Sequence, residues 1–228
     1  MATLLEAIEH FTQKEAEKRD KILLSYFGED GVNRIVNSIC DRLLSSPPKL
    51  KSNAQILDVG AGSGLFTGRV ARNLHKTLPK TSFYAMDITP AMLKLLAEKT
   101  SEIVPFLGVA ENISQSVKLA RKYLNIPTKF DALYSTLMLH HCLNIETVFQ
   151  SMKDVLKTHG KTVLVDLCEH SFQEFKEEMG DIHLGFKPEQ IEKSAKNFFT
   201  QVSIEKLPGI SCSSSGRSAE LLIAYMTI

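Results

Sequence analysis

The chain has 228 residues, 27 of them basic and 26 acidic, for a formal net charge of +1. That length supports one domain with a substantial core, and the even balance excludes the dense positive footprint of a protein that grips a phosphate backbone. The four cysteines, Cys40, Cys142, Cys168 and Cys212, form no CxxC pair, so free thiols in a reducing compartment are expected.

The opening "MATLLEAIEHF" lacks the basic and then apolar order of a secretory leader. No run approaches the roughly 18 apolar residues of a membrane span. A cytoplasmic protein with no nucleic-acid partner is the expectation. Over residues 3–27, Leu4, Leu5, Ile8 and Phe11 repeat at helical spacing among charged residues. Val32, Ile35, Val36, Ile39, Cys40, Leu43 and Leu44 then mark a second helix with one apolar face, which "SSPPKLKSN" ends. Residues 1–52 are therefore expected to form a helical cap or lid, and residues 53–228 the main body of a single compact protein.

From residue 53 strand-length apolar runs alternate with helical patterns. "AQILDV" precedes a helix carrying Leu65, Val70, Ala71 and Leu74. "SFYAMD" precedes "TPAMLKLLAEK", where Thr89 can cap and Pro90 takes the first helical position. "IVPFLGVA" leads to "SVKLARKYL", "FDALYST" to "IETVFQSMKDVLK", and "GKTVLVDL" is the fifth run. Continuous apolar runs in strict alternation with helices imply a parallel sheet covered on both faces, a doubly wound α/β fold. After a helix at 188–197, "FFTQVSIEKL" and "AELLIAYMTI" are joined by "PGISCSSSGR", too short for a crossover helix, so they should pair antiparallel.

In such a sheet the first strand-to-helix turn, at the carboxyl ends of the strands, is the usual ligand site. Here it reads "ILDVGAGSGLF", residues 56–66. The glycines permit a tight turn and close backbone approach. Their spacing fails the dinucleotide G-x-G-x-x-G pattern, because position 65 is Leu. Asp58 would also repel a pyrophosphate placed over the helix N-terminus, whereas it could orient the turn and offset a cationic ligand.

Asp58, Gly60, Gly62 and Gly64 in "LDVGAGSG" resemble the first motif of class I S-adenosylmethionine-dependent methyltransferases. "FLGVAEN", "FDALYSTLMLHH" and "GKTVLVDL" look like the third to fifth strands of the small-molecule enzymes related to quinone and sterol methylases, and "HLGF" at 183–186 is similar to a segment that follows the fifth strand. The resemblance implies a seven-stranded, mostly parallel Rossmann-like sheet with an antiparallel terminal strand. It also implies S-adenosylmethionine as cofactor, held by Asp58, Gly60, Ala61, Gly62 and Gly64 in the turn, Asp87 and Ile88 after the second strand, Ala110 and Glu111 after the third, and Thr136 and Leu137 after the fourth. Asp87 falls where the family grips both ribose hydroxyls, and a carboxylate can accept both. Where many relatives carry G-D-A, this chain has Gly108, Val109 and Ala110, so either Glu111 or the backbone near Ala110 reads the adenine. Arg19 stands where relatives often place a tyrosine.

His140 and His141 follow the fourth strand and are the catalytic candidates, as general base or as hydrogen-bond partner of a substrate, against the alternative of packing and cleft lining. Cys142, Cys168, His170 and His183 map to the same edge without zinc spacing, so no metal is expected. Asp166 is expected to be structural or solvated. Phe11, Tyr26, Phe27, Phe172 and Phe186 are candidate apolar walls for a small, partly apolar methyl acceptor. The rivals are a degenerate methyltransferase fold that binds cofactor or a partner without turnover, and a nicotinamide dehydrogenase. Oligomeric state leaves no mark in the sequence.

Overall fold

The computed structural model describes Ala16 and residues 18–228. Leu4, Leu5, Ile8 and Phe11 lie outside the described residues. Seven strands form one sheet: β1 (Gln55–Val59), β2 (Ser82–Asp87), β3 (Ile103–Leu107), β4 (Phe130–Thr136), β5 (Leu156–Leu167), β6 (Gln201–Ser214) and β7 (Arg217–Thr227). Their order across the sheet is β3-β2-β1-β4-β5-β7-β6. β7 runs antiparallel to both of its neighbours, while β1 to β5 pair in parallel.

The strands alternate between two cores. Ile56, Phe83, Ala85, Ala132, Tyr134, Val163, Val165 and Ile223 face one side, and Leu57, Val59, Met86, Leu133, Leu164 and Leu222 face the other, as a two-residue period demands. The first core is closed by α1 (Arg19–Ser45) and α2 (Leu65–His75), with Leu96 of α3 (Pro90–Lys99) at its margin. The second is closed by α4 (Ile113–Ala120), α5 (Ile145–Asp154) and α7 (Pro188–Ala195); the short α6 (Glu174–Met179) lends Phe175 and Met179 to the first. Among the described residues no helix is long and apolar enough to cross a membrane.

The helix pattern that begins at Val32 is one layer of the fold. Val32, Ile35, Ile39 and Leu43 are fully buried against the sheet. The helical preface breaks at Gly28, whose backbone (φ 67°, ψ 170°) leaves the helix inside α1. Behind that break α1 is fastened: Arg34 donates to the carbonyls of Pro208 and Gly209, both at 2.8 Å, Arg42 pairs with Glu205, and buried Lys161 donates to the carbonyls of Leu43 at 2.9 Å and Ser46 at 2.6 Å. Ahead of it, Asp20 accepts from Ser63 and, at 2.5 Å, from Lys99.

The C-terminal hairpin departs from the sequence pattern. "PGISCSSSGR" is mostly strand: β6 continues to Ser214 through a register shift between Leu207 and Ser211, and the reversal is the positive-φ pair Ser215 and Gly216. A Pro-Gly bulge can read as a loop while the ladder resumes beyond it.

Candidate functional site

A cleft opens at the carboxyl ends of β1, β2, β3 and β4. Of the predicted site residues, Gly60, Ala61, Gly62, Asp87, Ile88, Ala110, Glu111, Thr136, Leu137 and His141 line it. Asp58, Gly64 and His140 are not among the lining residues. Arg19, Leu23, Leu65, Phe66, Met92 and Met138 line it as well, in place of Tyr26, Phe27, Phe172 and Phe186. Phe186 is 1% exposed within the second core, and Phe172 stacks on His170 at 5.1 Å.

The glycine turn is hung from β2. Gly60 and Ala61 donate to the Met86 carbonyl at 2.8 and 3.0 Å. Asp87, the last residue of β2, accepts from Gly62 N–H at 2.7 Å through Oδ2 and from Thr89 N–H at 2.8 Å through Oδ1. The Thr89 hydroxyl also bonds this carboxylate, whose remaining lone-pair sites can accept from a ligand. Burial raises the Asp87 pKa, against the pull of these bonds and of Arg19. Gly60 adopts φ +76°, and a Cβ there would stand 2.3 Å from Met138 Cγ. Gly62 adopts φ +53°, and a Cβ there would meet nothing within 4 Å, so its backbone borders open cleft space. Across the cleft Leu137, a non-glycine at φ 56°, donates to the Val165 carbonyl at 2.8 Å; strain of this kind collects at functional sites.

Asp58 turns away from the cleft. It shares strand parity with Ile56, so its side chain lies under α2, 2% exposed, where Oδ2 accepts from Thr67 Oγ1 at 2.7 Å. Burial pushes its pKa up to about 7, the Thr67 and Tyr134 hydroxyls oppose the rise, and Asp87 adds to it. The expectation that Asp58 is among the residues holding the cofactor is therefore corrected: its carboxylate does not line the cleft and bonds Thr67 of α2 instead.

His140 and His141 lie side by side in one 3₁₀ turn, Leu139–His141, with ring centroids 4.0 Å apart, yet differ in surroundings. His140 is 3% exposed; its Nδ1 lies 2.6 Å from Asp166 Oδ1 and its Nε2 3.5 Å from Asp181 Oδ1. Burial opposes a charge on this ring, but Asp166, with Asp181 beyond it, outweighs burial and raises its pKa. Asp166 is fully buried, not solvated, and also accepts from the N–H groups of Leu139 and Leu167, both at 2.8 Å. Asp181 is delivered by the segment before "HLGF": Ile182 and His183 donate to the His140 carbonyl at 3.1 and 3.0 Å, and Phe186 extends the β5 end through Leu167 at 2.9 Å. Burial raises Asp181 to about 6, partly offset by His140.

The remaining candidates at this edge are occupied in packing. Cys142 Sγ contacts Met138 Sδ at 3.1 Å, His183 Nε2 meets the Cys142 carbonyl at 2.9 Å, and His170 Nδ1 accepts from Phe172 N–H at 3.2 Å. All four cysteines are buried free thiols.

Residues 56–160 match the family described as "Methyltransferase domain". The region carries the glycine turn, Asp87 and both histidines. Over that stretch the chain is a methyltransferase domain. The domain is similar to part of the biotin biosynthesis bifunctional protein BioHC of Cellvibrio japonicus, 23% identical over 76% of this chain and 33% of that protein. It is also similar to malonyl-[acyl-carrier protein] O-methyltransferase 1 of Ilyobacter polytropus, 23% identical over 67% of this chain and 53% of that one. The chain thus spans between a third and about half of these two relatives. In fold, the methyltransferase domain is similar to Haemonchus contortus phosphoethanolamine N-methyltransferase 2 solved with S-adenosyl-L-methionine. The TM-score is 0.65 at 16% identity, over 95% of this chain and 57% of that one.

Proposed function

We propose that the cleft holds S-adenosylmethionine and that the protein transfers its methyl group to a small, partly apolar acceptor. The observation that carries this reading is Asp87, fixed by Gly62 and Thr89 at the lip of the first turn with lone pairs left for a pair of ribose hydroxyls. The fit extends along the wall. Open space over Gly62 leaves room for the cofactor's amino-acid end, and Met86, Val109 and Ala110 offer an apolar slot for a flat base, with Glu111 at its edge. Leu23, Phe66 and Met92 supply apolar surface opposite.

When bound, the cofactor supplies a methyl group already activated by sulfonium charge. The chain's own residues then have to align and exclude water, for which well-oriented approach contributes about 7–11 kcal/mol. His141 is the histidine on the cleft wall, and Asp58 serves the turn through Thr67. A small acyl or metabolite acceptor accords with the substrates named for the malonyl-carrier and phosphoethanolamine enzymes.

Calorimetry with S-adenosylhomocysteine tests the cofactor reading. Binding to the parent chain and a loss of at least about tenfold in Asp87→Ala, as expected when a charged hydrogen-bond acceptor is removed, in a variant that still folds, would support it. Normal affinity in Asp87→Ala would end the ribose assignment. Incubation with methyl-labelled cofactor and cell extract then identifies the acceptor; cofactor binding with no labelled product would favour the non-catalytic alternative.

A further inference from the structure

His140, His141 and Asp181 each bring one potential ligand atom into a cluster, the three atoms lying within 4.8 Å of one another. Their surroundings are those of metal ligands. Nδ1 of His140 meets the Asp166 carboxylate at 2.6 Å, and Nδ1 of His141 meets the Gly180 carbonyl at 3.2 Å. Both partners can only accept, so each Nδ1 carries a hydrogen, and in the neutral ring Nε2 is then the nitrogen that can bind a metal. Carboxylate and carbonyl partners of this kind orient metal-bound histidines. The Asp181 side chain is fully buried, and neither of its oxygens accepts a hydrogen bond among the described residues. A buried carboxylate normally has partners, and here it faces an imidazole nitrogen at 3.5 Å.

We propose that His140, His141 and Asp181 bind a divalent first-row transition ion, zinc in the first instance, at the inner wall of the cleft. Two imidazoles and a carboxylate suit zinc, cobalt or iron(II). Metal–ligand bonds of about 2.1 Å place tetrahedral ligand atoms about 3.4 Å apart, so the three groups close by at most about 1.4 Å from the observed spread. Side-chain rotation can accommodate this. Asp166 and Asp181 offset two of the three positive charges that the ion and the neighbouring Arg19 bring together, and the ion takes the place on His140 Nε2 that a proton would fill. Arg19 also senses Asp181 and belongs to the same charge group.

Because His141 lines the cleft, the fourth coordination position opens toward the methyl acceptor; this part of the inference rests on the methyltransferase reading. An acceptor hydroxyl or thiol would bind there through oxygen or sulfur, releasing its proton to water as the metal–heteroatom bond forms. That raises the nucleophilicity available at neutral pH.

The test uses untagged full-length protein stripped with a chelator. It is titrated with zinc chloride by calorimetry, and with cobalt chloride while visible absorption is followed. One equivalent of zinc and a cobalt spectrum of low-symmetry, four- or five-coordinate type are expected. Asp181→Asn and His141→Gln should each weaken zinc binding by at least about tenfold, with S-adenosylhomocysteine affinity retained in Asp181→Asn. His141→Gln alone decides the matter if Asp181→Asn does not fold. Absence of stoichiometric zinc binding, or equal affinity in a folded variant, overturns the site. Failure of the methyltransferase reading would show separately, as absence of S-adenosylhomocysteine binding in protein that does take up zinc.

Discussion

The two walls of the cleft are built from different material. On the β1–β2 side the wall is backbone: glycines hung from Met86, with a single carboxylate tying Gly62 to Thr89. On the β4–β5 side Thr136, Leu137, Met138 and His141 form the surface, and side-chain charge backs it from behind, with His140 between Asp166 and Asp181, all buried. A backbone wall is defined by sterics within a few residues, whereas a charge wall depends on partners 26 and 41 positions away in the chain. The first can hold a common ligand in one posture. The second can differ between proteins that share the first.

The sharpest way to break the contrast is to remove the centre of the charge wall. Asp166→Ala leaves His140 and the Leu139 and Leu167 N–H groups without their acceptor, and should cost about 3–5 kcal/mol as the loss of one member of a buried pair; urea unfolding measures it. On the backbone wall, Gly60→Ala should cost about 3 kcal/mol, since a left-handed non-glycine residue also meets Met138, and S-adenosylhomocysteine binding should be lost with it. Gly62→Ala meets no neighbouring atom and should cost only about 1–2 kcal/mol in the same unfolding assay. Equal losses at the two glycines would show that φ alone, and not the approach of Met138, sets the geometry of the turn.

A pH slope reports on the support beneath the turn. Asp58 has a folded pKa of about 7 against an ordinary 3.8, so between these values the folded state holds a proton that the unfolded state has lost. Its contribution is fully present below the unfolded value and is lost as pH rises through about 7. Asp58→Asn, which cannot ionise, should therefore gain on the parent in melting temperature between pH 5 and pH 8. A constant difference across that range would mean that the carboxyl is not buried as described.

Much of the backbone wall was legible in the sequence. The alternation of short apolar runs and helices implied the sheet, and glycines beside an acid located its ligand edge, because these are local steric requirements. Even the inward turn of Asp58 follows from parity with Ile56, a periodic signal that competes with the pull of the acid's charge toward a cationic ligand, and parity wins. The charge wall was legible only in its parts. His140 and His141 are adjacent, and nothing in their spacing says that a 3₁₀ turn sends one inward and leaves the other at the cleft. Asp181 sits just ahead of "HLGF" yet carries no pattern of its own; only the bonds of Ile182 and His183 to the His140 carbonyl bring it in. Leu23, Phe66, Met92 and Met138 were unmarked because apolar residues facing a cleft and facing a core look alike in sequence.

Gly28 separates two stretches of α1 that answer to different masters. Beyond it, Arg34, Arg42 and Lys161 rivet the helix to the sheet. Before it, Arg19 and Leu23 reach over the cleft, tethered at Asp20 by Ser63 and Lys99. The break works as an elbow: the long arm is fixed to the body of the molecule, and the short arm is bent across the cleft mouth and pinned there by its own carboxylate.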